Sequence, residues 1–336
     1  MRLFISTVWM ACVLAACGGD AASPGAAGQD QPLGIAALGQ PQPGPAGPVA
    51  RAPAGTPTRL ALLVGINTYP NLTRFSQLKG AANDVARMHT LLTTRYAFPP
   101  ENVRVLLDEA ATREGILAAF REHLVANARA GDIVVFHFSG HGSRLPDAPG
   151  GDETDGIDET LVPTDSDRHG ARDIRDDDLE ALLAELDPDA RITLIFDSCH
   201  SGTATRDLEG GRPRSVDRDS LLATAPAGTR AATPDGLGGA GVDYVLISGA
   251  RADQQARELS RDGHSYGALT YFLTETLSQT DSALTYVDLR DVVQGEVSSH
   301  FGSQSPQLEG TRLNDYVFSD ESRLGQPYVR AAPMAE

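Results

Sequence analysis

Two short segments carry residues able to do nucleophilic chemistry. "HFSGHG" ends in His141 and Gly142, and "FDSCHSG" carries Cys199, 58 residues further on. Each follows an apolar run of strand length, "DIVVFHF" and "ITLIF". In an open parallel sheet, ligands bind beyond the carboxyl ends of the strands. If the two strands are neighbours, an imidazole and a thiol face each other across one crevice. A Cys–His pair is a nucleophile with its own proton carrier: the thiolate reacts, and the imidazole later protonates the leaving amine. Glycines 140, 142 and 202 allow the close backbone approach that an oxyanion site needs. Taken singly, a cysteine at a strand end is a small buried hydrophobe and a histidine beside glycine is a turn residue. Together, at equivalent ends of two strands, they read as a catalytic pair. His137 lies within its strand and is expected to pack in or against the sheet; His200 follows the cysteine directly and is expected to point elsewhere.

The cysteine count sharpens this reading. The chain has three cysteines, Cys12, Cys17 and Cys199. Its N-terminus has Arg2, a mostly apolar stretch from Leu3 to Val13, then "LAAC" ending at Cys17. This resembles the lipobox of bacterial lipoprotein signal peptides, with cleavage leaving Cys17 as the lipidated first residue. An ordinary secretory signal is the alternative. The apolar stretch is too short to span a bilayer. With Cys12 removed and Cys17 acylated, Cys199 is the one free thiol, which excludes a disulfide framework and a multi-cysteine zinc site. The location implied is extracytoplasmic, at the periplasm or cell surface, with the membrane reached through the N-terminal lipid.

The elements that must position these groups are legible around them. Residues 18–57 are rich in Gly, Pro, Ala and Gln and read as a disordered tether. From Arg59, apolar runs ("RLALLVGI", "NVRVLLD", "GDIVVFHFSG", "ARITLIFDS", "DYVLISGA") alternate with helical patterns ("AANDVARMHTLLTTRY", "ATREGILAAFREHLVANAR" with Thr112 as N-cap, "RDDDLEALLAEL", "GALTYFLTETL", "TYVDLRDVVQGEVSSH"). That alternation predicts βαβ units and a mostly parallel sheet flanked by helices. The 336 residues, 41% apolar, suffice for one sizeable core. The formal charge of −17 argues against nucleic acid as a partner. From Asp152 to Asp178, eleven Asp/Glu face three Arg, −8 of that total, so a cation site is worth considering.

"HFSGHG" and "FDSCHSG" resemble the histidine and cysteine motifs of the metacaspases, in the caspase-like peptidase family. "ALLVGINTYPNLTRFSQLKGAANDV", "DGIDETLVPTD", "IRDDDL", "SGARADQQARE", "HSYGALTYFL" and "SPQLEG" extend the likeness over roughly residues 59–320. The resemblance implies a three-layer α/β caspase-like fold with a six-stranded, mostly parallel sheet. It divides the chain into a large-subunit-like region at 58–206, a long loop at 207–241, a small-subunit-like region at 242–320 and a tail at 321–336. It makes Cys199 the nucleophile and His141 the general base of an endopeptidase, taken as a monomer, that cuts peptides and proteins after Arg or Lys. Asp84, Ser139 and Asp197 fall at the family's specificity-pocket positions, and a pocket for a cationic side chain needs desolvated carboxylates. Asp84 could instead serve as a helix cap before "VARMHTLL". Ala81 departs from a cysteine found in some members. The resemblance also implies activating calcium held by Asp158, Asp176 and Asp177, with Asp207 a loosely aligned fourth ligand; the other reading of 176–178 is a favourable acidic first turn of a helix. "GDETDGIDE" does not fit an EF-hand. An enzyme cutting after arginine could process itself at Arg206, Arg212, Arg214, Arg218 or Arg230 in or beside the loop; the other reading is a solvated loop with ordinary charges. The competing functions are a catalytically silent calcium-dependent binding module and a caspase-like hydrolase of other specificity, separase- or gingipain-like.

Overall fold

A computed structural model describes residues 49–147, 156–199, 210–222, 242–280 and 282–321. In chain order the elements are β1 (Arg59–Gly65), α1 (Ala81–Arg95), β2 (Val103–Leu107), α2 (Arg113–Ala119), β3 (Ile133–Ser139), β4 (Gly142–Pro146), β5 (Ile157–Leu161), β6 (Ile174–Arg175), α3 (Asp176–Ala184), β7 (Arg191–Asp197), β8 (Arg212–Pro213), α4 (Asp219–Leu222), β9 (Tyr244–Ser248), β10 (Arg257–Arg261), β11 (His264–Gly267), α5 (Ala268–Gln279), α6 (Tyr286–His300) and β12 (Gln307–Gly310).

Six of the strands form the central sheet, in the order β12-β9-β7-β3-β1-β2. All neighbours are parallel except β12, which runs antiparallel to β9. The continuous apolar runs follow from burial on both faces. Leu60, Leu62, Val64, Val134, Phe136, Leu194 and Phe196 pack beneath Ile116 and Ala119 of α2 and Leu182 and Leu183 of α3. Ala61, Leu63, Val135, Ile195 and Ile247 pack on the other side, against Val85 and Met88 of α1, Leu269 and Leu273 of α5 and Leu289 and Val293 of α6. The mostly parallel sheet predicted from the pattern, and the three layers that the resemblance implied, are what the chain forms.

Local chemistry sets the helix ends. Thr112 Oγ1 accepts a hydrogen bond from Gly115 N at 3.0 Å and starts α2, the N-cap expected from sequence. Thr285 and Asp288 form a capping box at the start of α6. The helical pattern after Thr112 is not α-helical throughout: it passes into a π-turn over Phe120–Val125. The wider turn keeps Phe120 and Leu124 in the core.

Two small antiparallel sheets, β4-β5-β6 and β11-β10-β8, were not visible in the sequence pattern. The first begins immediately after β3; the second joins β10 and β11, which lie between β9 and α5, to β8, which precedes β9 in the chain. The tether reading also does not extend to residue 57. Ala50 N donates to Asn102 Oδ1 at 2.8 Å, and Arg51 pairs with Asp132 at 2.9 Å. These polar partners, together with Val49 packing against the core, dock residues 49–51. Cys17, residues 18–48 of the tether, Asp207, Arg206 and Arg230 lie outside the described residues. No described helix is long and apolar enough to cross a membrane.

Candidate active site

β3 and β7 are hydrogen-bonded neighbours in parallel register, with Ser139 opposite Asp197. His141 and Cys199 therefore leave the sheet side by side, each two residues past its strand. The His141 amide donates to Tyr69 Oη at 2.8 Å, and the two rings lie 4.8 Å apart. His141 Nε2 lies 2.7 Å from the Ser76 carbonyl oxygen. A carbonyl can only accept, so Nε2 carries the proton, which leaves Nδ1 as the basic nitrogen. Nδ1 is buried and makes no hydrogen bond among the described residues. Burial pushes His141 down to about 4, with the Ser76 carbonyl pulling the other way. Burial likewise pushes the Cys199 thiol up to about 11. The pair is thus neutral at pH 7 in this conformation, and Cys199 is 1% exposed.

What covers them is residues 210–218, a strap from the segment read as a long loop. Its Arg214 is fully buried. One guanidinium nitrogen, Nη2, lies 2.7 Å from Asp84 Oδ2 and 3.5 Å from Glu258 Oε1. The other, Nη1, donates to Ser139 Oγ at 2.7 Å and lies 3.3 Å from Asp197 Oδ1. Ser139 in turn donates to Asp84 Oδ2 at 2.7 Å. The start of α5 steadies the acids: Gly267 N donates to Asp84 at 3.0 Å, and Thr270 N donates to Asp197 Oδ2 at 2.7 Å. A Cβ at Gly267 would fall 2.4 Å from the Arg214 guanidinium, so the pocket wall has to be glycine. Burial works against the Arg214 charge, but Asp197, Asp84 and Glu258 outweigh it and hold the guanidinium above its ordinary value. Burial pushes Asp84 up to about 7, against the pull of Arg214.

The Arg214 backbone is placed as tightly as its side chain. Its carbonyl oxygen accepts from Cys199 N at 3.2 Å and from Gly142 N at 3.0 Å. Two convergent amides on one carbonyl oxygen, next to a thiol, are the donor geometry of an oxyanion site. Upstream, β8 pairs antiparallel with β10, and Arg214 N donates to Ala256 O at 2.9 Å. Downstream, Val216 N donates to Gly142 O at 2.9 Å. Residues 212–216 therefore cross the site extended, as a bound peptide would.

Asp84, Ser139 and Asp197, predicted as one pocket, are brought together here. Glu258, Tyr69 and the Ser76 carbonyl were missed. Glu258 sits in "ARELS" on β10, with no pattern marking it, and its carboxylate also accepts from Gly80 N at 2.6 Å. His137 is fully buried in β3, with Nε2 3.1 Å from Thr270 Oγ1. It packs against the sheet as expected. His200 lies outside the described residues.

The acidic segment gathers a different set from the one implied. Ligand atoms of Asp147, Asp158 and Asp177 lie within 4.8 Å of one another. Asp176 is not in that group; its Oδ2 accepts from Glu159 N at 3.1 Å. Asp158 is fully buried and pairs with Arg175, yet its Oδ1 makes no hydrogen bond among the described residues. An orphaned buried carboxylate oxygen beside two other acids suits a hard cation completed by water. These residues fit calcium.

Comparison with known proteins bears on the family and the fold. Residues 59–208 match the profile of the "Metacaspase, peptidase C14 domain" family. Metacaspase-1A of Aspergillus oryzae is 31% identical over 319 residues, covering 83% of this chain and 74% of that protein. Metacaspase-1 of Schizosaccharomyces pombe is 32% identical over 290 residues, covering 74% of this chain and 66% of that protein. Metacaspase-4 of Arabidopsis thaliana is 43% identical over 150 residues, covering 43% and 34% respectively. A crystal structure of a Geobacter sulfurreducens protein superposes with a TM-score of 0.56 at 25% identity, over 76% of this chain and 94% of that one. The chain belongs to the metacaspases and is a caspase-like cysteine endopeptidase.

Proposed function

We propose that this peptidase cuts after arginine or lysine, using Cys199 as nucleophile and His141 as proton carrier. The observation that supports it most is Arg214, with its guanidinium among three buried acids and its carbonyl oxygen between the Cys199 and Gly142 amides. Cys199 Sγ gives its proton to His141 Nδ1 and attacks the carbonyl carbon. The two amides take the charge that develops on oxygen. His141 returns the proton to the departing amine, leaving a thioester on Cys199 and a new N-terminus. Water, deprotonated by His141, then hydrolyses the thioester and restores the thiol. An aspartyl side chain in the same pocket would meet like charge. The test is an arginyl fluorogenic peptide beside its aspartyl counterpart. The arginyl peptide is cleaved and the aspartyl one is not, and a Cys199→Ala protein cleaves neither. Equal rates on the two peptides would refute the specificity, and an active Cys199→Ala protein the mechanism.

Three further parts belong to this reading. The Arg214–Ser215 bond is the chain's own first substrate, since Arg214 already holds the position of the residue before the cut. Asp147, Asp158 and Asp177 would hold calcium, which would supply positive charge among these carboxylates beside β4 and β5. The mature protein is a lipoprotein anchored through Cys17; palmitate labelling that is lost on Cys17→Ser tests this.

A further inference from the structure

The strap fills two guanidinium pockets. Four residues beyond Arg214, Arg218 is buried, with 2% of its surface exposed. Its Nη1 pairs with Asp173, which is also buried. Its Nη2 donates to Ser166 Oγ at 3.1 Å and to the Asp167 carbonyl at 2.7 Å. Ser166 also donates to Asp173, and Thr160 Oγ1 donates to it at 2.9 Å. A Cβ at Gly170 would lie 3.2 Å from the Arg218 guanidinium carbon, and Gly170 adopts a φ of +69°.

This repeats the construction of the first pocket. Each has a buried aspartate, a serine hydroxyl bridging that aspartate to the guanidinium, and a glycine leaving room for the flat face. Between the pockets the strap follows the enzyme's edge without a gap: Ser215 bridges Gly142, and Ser143 Oγ donates to Val216 O at 2.7 Å. An anchor at Arg218 alone would fix one residue. Two anchors four residues apart, with backbone pairing between them, fix the register that puts the Arg214 carbonyl between the two amides.

We propose that the Asp173–Ser166 pocket is a specificity subsite for an arginyl side chain four residues beyond the scissile bond, and that Arg218 occupies it in the uncut chain. The class of ligand is a basic peptide with two arginines spaced as in "RSVDR". The proposal rests on the cleavage reading above, because the bond defines the spacing. It goes beyond that reading by giving Asp173 a role in substrate choice.

The test uses a full-length Arg218→Ala protein, in which the second pocket is vacated, and two peptides. One spans "GRPRSVDRDS"; the other has alanine at the second arginine position of "RSVDR". The readout is the ratio of kcat/KM for the two. The expected ratio is on the order of tenfold or more, as for a desolvated charged hydrogen bond, and it collapses to about one when Asp173→Asn is added. A ratio near one in Arg218→Ala overturns the subsite. A short arginyl amide with nothing beyond the bond tests the first pocket separately. Should it be uncleaved, the cleavage reading fails; should it be cleaved without peptide discrimination, only the subsite falls. If Arg218→Ala does not fold, the measurement is self-cleavage at Arg214–Ser215 in Arg218→Lys and Arg218→Gln. The lysine variant keeps the wild-type cut and the glutamine variant slows it about tenfold. Equal rates overturn the proposal. A merely structural ion pair would lower the melting temperature without producing the peptide ratio.

Discussion

Replacing Arg214 with alanine, on a Cys199→Ala background to prevent self-cleavage, isolates the charge balance of the first pocket. The substitution removes a fully buried guanidinium from Asp84 at 2.7 Å, Asp197 at 3.3 Å and Glu258 at 3.5 Å. Breaking a buried ion pair from one side costs about 3–5 kcal/mol. The pocket has one relief, a proton on Asp84. Its folded carboxyl sits at about 7 against an ordinary value of 3.8, so the fold favours its protonated form and loses stability as pH rises between those values. Without Arg214, whose charge pulls the carboxyl down, it moves higher still. Between pH 6 and 8 the parent therefore gives up more of that proton than the variant does. The difference is on the order of 1 kcal/mol. The variant should therefore be destabilised by about 3–5 kcal/mol at pH 8 and by on the order of 1 kcal/mol less at pH 6. Agmatine, an alkyl guanidinium, should enter the vacated pocket and restore about 1.4 kcal/mol at ten times its Kd. Urea unfolding at the two pH values, with and without agmatine, reads both effects. Equal destabilisation at pH 6 and pH 8, with no rescue by agmatine, would refute the account of the pocket.

Three other outcomes follow from the same geometry. With the thiol at about 11, only about 0.1% of Cys199 is thiolate at pH 8; iodoacetamide labelling should be slow in the uncut protein and at least about tenfold faster in Arg214→Ala, where the strap has lost the side chain that anchors it over Cys199 and its release relieves the burial, an effect larger than the loss of the Arg214 charge that lowers the thiol. Phe136 is fully buried, with ring centroids 5.3 Å from Phe120 and 5.9 Å from Phe196; Phe136→Ala should cost about 3–5 kcal/mol in urea denaturation. Calcium should raise the melting temperature of the Cys199→Ala protein, and Asp177→Asn should weaken that shift more than Asp176→Asn, because only Asp177 lies in the carboxylate cluster; equal effects would contradict the ligand set.

The legible part of this protein is the part set by burial on two faces. β1, β3 and β7 declare themselves as apolar runs, and the residues just past β3 and β7 are those proposed to carry the chemistry. Glu258 could not be found that way, since a lone glutamate in "ARELS" acquires its role only when β10 meets the start of α1 and the strap. The amides of Gly267 and Thr270 that steady Asp84 and Asp197 are backbone groups and leave no trace in residue type. The acidic segment offered too many candidates: Asp176 and Asp177 are adjacent in a helix and point about 100° apart, so geometry had to choose between them. The arginines of the loop were visible as possible cut sites, but the seating of Arg214 depends on two long-range pockets and the edges of two small sheets.

The most direct measurement is the intact mass and N-terminal sequence of the protein after incubation with calcium, beside the Cys199→Ala protein. The account predicts a new N-terminus at Ser215 in the wild type and an uncut Cys199→Ala chain. Cleavage of both proteins at the same rate, or a wild-type cut after a residue that is neither arginine nor lysine, would contradict it.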